Sequence, residues 1–391
     1  MKKIREYFKI QFRNIHILTG GFVALVVLGI MISAYSPILT IMRGELSISY
    51  MESGLFMSSF FCGYAIGQIP WGYACDRFGN RRVIVASLLG TALSTALLGL
   101  SSDIGQAIVS RFLAGSLGAG IFVPVIRLTS VWFPISVRGK AFGILTVGTS
   151  FGLAIASYTS PILAINFGWR GSLMLLGLLG ILSSGIVLLT LKKADSDAAS
   201  RDESSLREPV RSRNFWILGY MQFIRLGTNY TFIAWLPLFL QEEYGLNFLT
   251  AGIALLSFNL AGLLASIVGG LISDRKGERF VIFLSFLILS LAVTVLVHAN
   301  TILILQLGIF VLGWFVNMSS SPMFAITPRL WTVEKAGKIF GVHNTLAAIG
   351  ALVLPFLLGY VRDLTGSYDL GWIALSLFLM VAALLTLIIK R

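Results

Sequence analysis

Charge is what this sequence has least of. Only 12% of its 391 residues are Asp, Glu, Lys or Arg, against about 25% in soluble domains. A chain so poor in charge cannot clothe an aqueous surface, which excludes an ordinary soluble enzyme. The shortage is also lopsided, with 17 acidic residues against 30 Lys and Arg. Cysteine is nearly absent: Cys62 and Cys75 supply no disulfide framework and read as small packing residues. The three histidines, His16, His298 and His343, fall on separate segments with no His-x-x-x-His pair. No metal-ligand or catalytic constellation follows, so a membrane-embedded enzyme finds no support. No Gly-x-x-x-x-Gly-Lys-Ser/Thr loop occurs, which argues against nucleotide hydrolysis by this chain. No cofactor is expected.

What is present is hydrophobic sequence, 56% of the residues. Lipid is the solvent that accepts it, at roughly 20 apolar residues per crossing. Twelve spans can be read, near 15–39, 50–73, 81–101, 104–132, 139–163, 169–191, 214–240, 248–272, 280–298, 301–328, 337–361 and 368–389. The basic N-terminus, Met1 to Arg13, runs straight into the first apolar stretch without a small-residue cleavage site, so that stretch is expected to be a retained span. The one long polar stretch, 192–213, mixes both charge signs with Ser and Pro. It reads as a linker between an N-terminal six-helix bundle, 1–191, and a C-terminal one, 214–391. Lys and Arg alternate with the spans: 24 of the 30 lie on the side of the termini and linker, 3 (Arg43, Arg170, Arg362) on the opposite side. That asymmetry predicts a multi-pass plasma or inner membrane protein with both termini in the cytoplasm. It also explains the net charge of +13 without a nucleic-acid partner, because the cations sit in short inter-span clusters.

The halves echo each other. Gly72 to Arg82, GYACDRFGNRR, matches Gly270 to Phe280, GLISDRKGERF, placing Asp76 over Asp274 at an offset of 198. RGKAFG from Arg138 matches AGKIFG from Ala336, and Pro124 matches Pro322, at the same offset; Pro37 matches Pro237 at 200. Internal repeats of this kind build transporters whose substrate site lies near the bilayer midplane. The Gly-x-x-x-Asp-Arg-x-Gly-x-Arg-Arg pattern between spans two and three resembles the signature loop of the major facilitator superfamily. SRFLAGSLGAG, Ser110 to Gly120, resembles that family's fourth-helix motif. The resemblance covers both halves and implies twelve helices in two halves and transport by alternating access. Within the superfamily, Pro124 to Gly152 followed by FGWR, Phe167 to Arg170, is similar to the organic anion and monocarboxylate branches. Asp76, Arg77, Arg81, Arg82, Asp274 and Arg275 form cytoplasmic charge clusters able to pair in one conformational state only, a latch; simple loop solvation is the alternative. Gly115, Gly118 and Gly120 on span four, and Gly148 and Gly152 on span five, allow close helix approach.

Ionisable groups inside spans are costly and therefore functional candidates. Arg225 lies about 16–17 Å into span seven at 1.5 Å per residue, with Gln222 at i−3 and Asn229 at i+4 on one helix face and Tyr230 adjacent. A guanidinium among amides suits a carboxylate or phosphate; a structural Arg bonded to carbonyls of a neighbouring helix is the alternative. Arg111 matches the Arg of the fourth-helix motif, to which the resemblance assigns coupling, and packing would also explain it. Arg127 follows sixteen residues later, about 160° around an ideal helix, so both face one cavity only if Pro124 distorts the span. Arg127 could instead snorkel to the membrane edge. His343 is a second coupling candidate. Tyr35, Gln68, Tyr158, Asn259, Asn317 and Asn344 are polar candidates for the cavity wall, though each could simply bridge two helices.

None of the 17 acidic residues falls in the middle of a span. A cation exporter needs such an acid; here the interior carries the opposite sign, so a small anion is the expected substrate. The expected activity is secondary active transport of a carboxylate-type organic anion, as a symporter using a proton or cation. The alternative within the same superfamily is a proton-coupled multidrug or other solute exporter, and a sensor that kept the fold without transporting is a third reading. The acidic coupling residues of the resembled branches on spans one and four have no counterpart, so a proton would travel on the substrate, on His343, or not at all. The expected partners are that anion and the lipid bilayer, and the expected state is a monomer.

Overall fold

The computed structural model describes residues 15–133, 135–192, 207–299, 301–331 and 333–389; most of the linker read at 192–213 lies outside them. The described chain is all α. In order come α1 (Ile15–Ser33), a 3₁₀ turn (Ser36–Ile38), α2 (Leu39–Leu46), α3 (Tyr50–Phe78), α4 (Asn80–Leu98), α5 (Ile104–Trp132), α6 (Ile135–Thr190) and α7 (Arg207–Arg211). There follow α8 (Arg213–Tyr244), α9 (Phe248–Lys276), α10 (Glu278–Val297), α11 (Ile302–Met318), α12 (Ser320–Leu330), α13 (Val333–Thr365) and α14 (Asp369–Leu387). The first span is α1, the 3₁₀ turn and α2 together, and the tenth is α11 with α12. The 56-residue α6 breaks at Gly168, where φ is 69°, and so supplies the fifth and sixth. Among the described residues nine stretches are long and apolar enough to cross a bilayer by composition alone. α3 and α8 fall short of that measure because they carry polar side chains, Gln222, Arg225 and Asn229 among them.

Local chemistry sets the helix starts. Asp103 accepts from Gln106 N at 2.9 Å, Asn247 from Thr250 N at 2.9 Å and Thr301 from Ile304 N at 3.3 Å, each satisfying a donor the helix cannot pair itself. At α3, Ser49 and Glu52 form a reciprocal capping box: Ser49 N donates to Glu52 Oε2 at 2.7 Å and Glu52 N to Ser49 Oγ at 3.1 Å. Inside the helices, hydroxyls return their protons to the preceding turn, as in Thr91 to Ser87 O (2.7 Å) and Ser285 to Val281 O (2.7 Å). A polar side chain can thus sit where no water competes.

The chain divides into two compact units, Met1–Ile38 with Cys62–Ala199, and Leu39–Phe61 with Ser200–Arg391. The sequence repeat is also a backbone repeat. Gly79 has φ 82° and ψ 149°, and Gly277, 198 positions later, φ 88° and ψ 150°, a conformation open essentially to glycine alone. In the first unit Gly152 lets α6 meet α1, since a Cβ there would lie 1.9 Å from Val26 O; in the second, Gly350 lets α13 meet α8, with Phe223 O at 2.0 Å. These two are again 198 apart. One core cluster of the second unit packs Ala265, Val281 and Met318 against Ile272, Trp314 and Phe315. Large exposed apolar side chains such as Ile186, Leu189, Leu303 and Leu307 are the lipid-facing surface such a chain requires.

Candidate functional site

α8 positions the main candidate. From Gly227 to Leu240 every one of its residues is buried, which marks a helix enclosed on all sides. Arg225 sits just before that stretch and is 8% exposed. Its Nε and Nη2 both donate to Gln222 Oε1, each at 3.1 Å, a bond the i−3 spacing makes available. Asn229, one turn on, accepts from Asn317 Nδ2 at 3.4 Å, and Asn317 also donates to Gly313 O at 3.2 Å, tying α11 to α8. The Tyr230 ring lies 4.4 Å from that of Phe61. Among the described residues no carboxylate pairs with Arg225, so the cation is countered by a neutral amide only. Asn259 is buried on α9, and Asn344 on α13 is exposed. His343 is buried beside the start of α8, its Nε2 at 2.9 Å from Phe215 O and its ring 4.8 Å from the Phe215 ring.

The first unit holds the other two interior arginines, and they do different things. Arg111 is 1% exposed. Its Nη1 donates to Met31 O at 2.9 Å and its Nη2 to Ile32 O at 3.0 Å. These are carbonyls of the last turn of α1, which a cation complements. The guanidinium also lies over the Tyr35 ring at 4.6 Å, so Arg111 and Tyr35 form one buried unit at the break in the first span. Arg127 instead pairs with Asp76, Nη2 to Oδ1 2.8 Å. α5 is kinked between the two arginines at Gly120, with φ −82° and ψ 16°, one turn before Pro124.

Of the other loop charges, Arg77 lies over the Phe78 ring at 5.3 Å, and Arg81 Nη2 donates to Leu188 O at 2.7 Å, near the end of the sixth span. Arg82 is exposed. Asp274 and Arg275 are exposed, and no ion pair involves either among the described residues. The second copy of the loop uses a different bond, Arg329 Nη1 to Glu278 Oε1 at 2.7 Å.

Sequence reading passed over one cluster in the second unit. Arg43 pairs with Glu242 at 2.6 Å, Tyr368 donates its phenol proton to Glu242 Oε2 at 2.7 Å, and Arg362 approaches Glu243 at 3.7 Å. The guanidinium carbons of Arg43 and Arg362 lie 3.6 Å and 4.8 Å from the Tyr50 ring centre. Asp363 accepts from the backbone N–H groups of Tyr50 (3.0 Å) and Met51 (2.7 Å). The available signal was that Arg43 and Arg362 are two of the three cations on the side away from the basic loops.

Residues 21–262 and 221–391 match the family model of the Major Facilitator Superfamily. The chain belongs to that superfamily. It is therefore a membrane transporter and not an enzyme, with the superfamily's twelve helices in two halves. A probable galactarate/D-glucarate transporter of Bacillus subtilis (strain 168) is 28% identical over 83% of this chain and 80% of its own length. A probable sulfoacetate transporter of Cupriavidus necator is 25% identical over 92% and 89%. The cis,cis-muconate transport protein of Acinetobacter baylyi is 27% identical over 91% and 89%. Among solved structures, a bacterial homologue of the human lysosomal transporter Spinster, inward-facing and occupied, superposes with a TM-score of 0.83 at 18% identity over 95% of each chain. At that identity the likeness concerns the fold alone.

Proposed function

We propose that this protein moves a small organic anion of the carboxylate or sulfonate class across the membrane by alternating access, with Arg225 as the anion-binding group. The observation that carries the reading is the buried guanidinium of Arg225, whose hydrogen bonds go to the neutral Gln222 amide. A buried cation lacking a carboxylate is costly, and an anionic ligand offsets that cost when bound. Asn229, Tyr230 and Asn317 supply polar and aromatic edges nearby, and relatives named for galactarate/D-glucarate, sulfoacetate and cis,cis-muconate transport agree with the charge. Arg111, already bonded to two carbonyls, serves the position of α1 in this reading. The co-substrate is a proton or a cation, the chain acts as a monomer, and both termini lie in the cytoplasm, as the Lys and Arg asymmetry suggests.

The test is thermal unfolding of the purified protein against small anions, cations and neutral sugars, with Arg225→Ala alongside. A ligand at 100 times its Kd stabilises the folded state by about 2.7 kcal/mol. Carboxylates should raise the wild-type midpoint and leave the variant unmoved. Equal stabilisation of both proteins by cations or neutral compounds would make Arg225 structural and favour a drug exporter.

A further inference from the structure

The second copy of the repeated loop encloses a cavity of about 390 Å³ between the end of α9, the Gly277 turn, the start of α10 and the end of α12. Its polar wall carries three cations, Lys276, Arg279 and Arg329, and one carboxylate, Glu278. Glu278 is almost fully buried and is engaged by Arg329 at 2.7 Å. Among the described residues no carboxylate pairs with the other two cations. Lys276 Nζ lies 5.4 Å from the Phe280 ring, and Arg279 Nη2 is buried with no hydrogen-bond acceptor. A buried N–H donor without an acceptor is uncommon in folded proteins. Here it belongs to a cation beside a second cation, so the missing acceptor should be anionic.

This arrangement is not a by-product of the loop motif. Stepping back 198 positions from Lys276, Glu278 and Arg329 reaches Phe78, Asn80 and Val131. The first copy keeps the Asp-Arg-x-Gly turn and the arginine matching Arg279, namely Arg81, but has neither of the other two cations nor the acid. Arg81 Nη2 reaches the Leu188 carbonyl while its Nε is buried without an acceptor, as is Arg279 Nη2. Among the described residues Arg279 has no such carbonyl partner, and it alone stands beside two further cations on a cavity wall.

We propose that this cavity binds the phosphate group of an anionic phospholipid. Guanidinium and ammonium groups together suit a tetrahedral phosphate, and basic pockets between membrane helices accept anionic headgroups. The surroundings favour a lipid over free phosphate. Ile267, Leu271, Phe280 and Phe324 are large, apolar and exposed on the same three helices, giving acyl chains a surface continuous with the headgroup cavity.

The test uses the full chain in phosphatidylcholine nanodiscs with and without phosphatidylglycerol, and native mass spectrometry of the lipid retained after extraction. Wild type should retain phosphatidylglycerol at least several-fold over phosphatidylcholine. The double variant Lys276→Gln, Arg279→Gln should lose that preference, and Arg82→Gln, at an exposed cation of the first copy, should keep it. An unchanged preference in the double variant, or none in wild type, overturns the proposal. A parallel arm adds inorganic phosphate to lipid-free protein in detergent: stabilisation by phosphate that depends on Lys276 and Arg279, without any lipid preference, overturns the headgroup assignment in favour of a free-phosphate site. If the double variant does not fold, competition on wild type decides. Soluble glycerol phosphate should displace the retained lipid, and failure to do so counts against the site.

Discussion

Arg43 Nη1 lies 2.6 Å from Glu242 Oε1, joining residues 199 positions apart in the second unit. Glu242 also takes the Tyr368 phenol proton at 2.7 Å, and both charged side chains are largely shielded, at 17% and 21% exposure. Removing the carboxylate charge leaves Arg43 without its ion-pair partner and the phenol with a weaker acceptor. Glu242→Gln should therefore lower unfolding stability by about 2 kcal/mol, read as a lower thermal midpoint. Arg43→Gln alone should cost a similar amount, and the double variant less than the sum, because the two share one bond.

The same cluster has a pH signature. Burial first, and the adjacent Glu242 carboxylate second, push the Tyr368 phenol above its ordinary range. A group whose folded pKa exceeds its unfolded value contributes stability below the unfolded pKa, about 10 for a phenol, and loses it as pH climbs further. This contribution should be constant from neutral pH to about 9 and decline above about 10. Tyr368→Phe should be less stable by about 1 kcal/mol at neutral pH and show a shallower alkaline decline. An equally steep decline in the variant would assign the alkaline loss to other groups.

Gln222 offers a sharper probe of the anion site than Arg225 itself. Its amide oxygen already receives two bonds from the guanidinium, so Gln222→Glu places a permanent carboxylate there with little change of shape. The internal acid should satisfy Arg225 and exclude the external anion. Anion-dependent stabilisation should fall by about tenfold or more in apparent affinity, with basal stability unchanged or raised. Retention of wild-type anion affinity would separate Arg225 from the binding step.

Arg111 makes the opposite prediction. Its guanidinium donates to two carbonyls of the α1 terminus, so Arg111→Ala should destabilise the empty protein by about 2–4 kcal/mol. Lysine, lacking the two-pronged fork, should recover only part of that loss. Thermal midpoints of the three proteins without ligand decide it.

How far the molecule was readable in advance depended on distance along the chain. The repeat showed as an offset of 198 and reappears as matching backbone at Gly79 and Gly277. The contact between Gln222 and Arg225 followed from three-residue spacing on one helix. Longer links were not readable, because spacing says nothing about which distant group fills a side chain's reach. Arg111 meets carbonyls 79 and 80 residues away, and Arg127 meets Asp76 across 51. Arg43, Arg362 and Glu242 were visible only as charges beyond the apolar spans. The Asp-Arg-x-Gly core shared by the two loops likewise gave no hint that one copy pairs its acid with Arg127, whereas the other leaves Asp274 exposed and uses Glu278 with Arg329.

The repeat also permits a paired test of helix packing. Gly152 and Gly350 match at the repeat offset, and a Cβ on either would come within 2.0 Å of a facing carbonyl oxygen. Neither helix can yield without moving backbone, so Gly152→Ala and Gly350→Ala should each cost more than about 2 kcal/mol. Gly143 and Gly341 match at the same offset on the same two helices, and a Cβ there meets nothing within 4 Å. Alanine at those positions should be neutral or stabilising by up to about 1 kcal/mol, because glycine is the weaker helix former. Thermal midpoints of the four variants separate the ideas: losses at 152 and 350 with none at 143 and 341 mean that close backbone approach holds each pair of helices. Similar losses at all four would mean instead that glycine flexibility along these helices is what the fold requires.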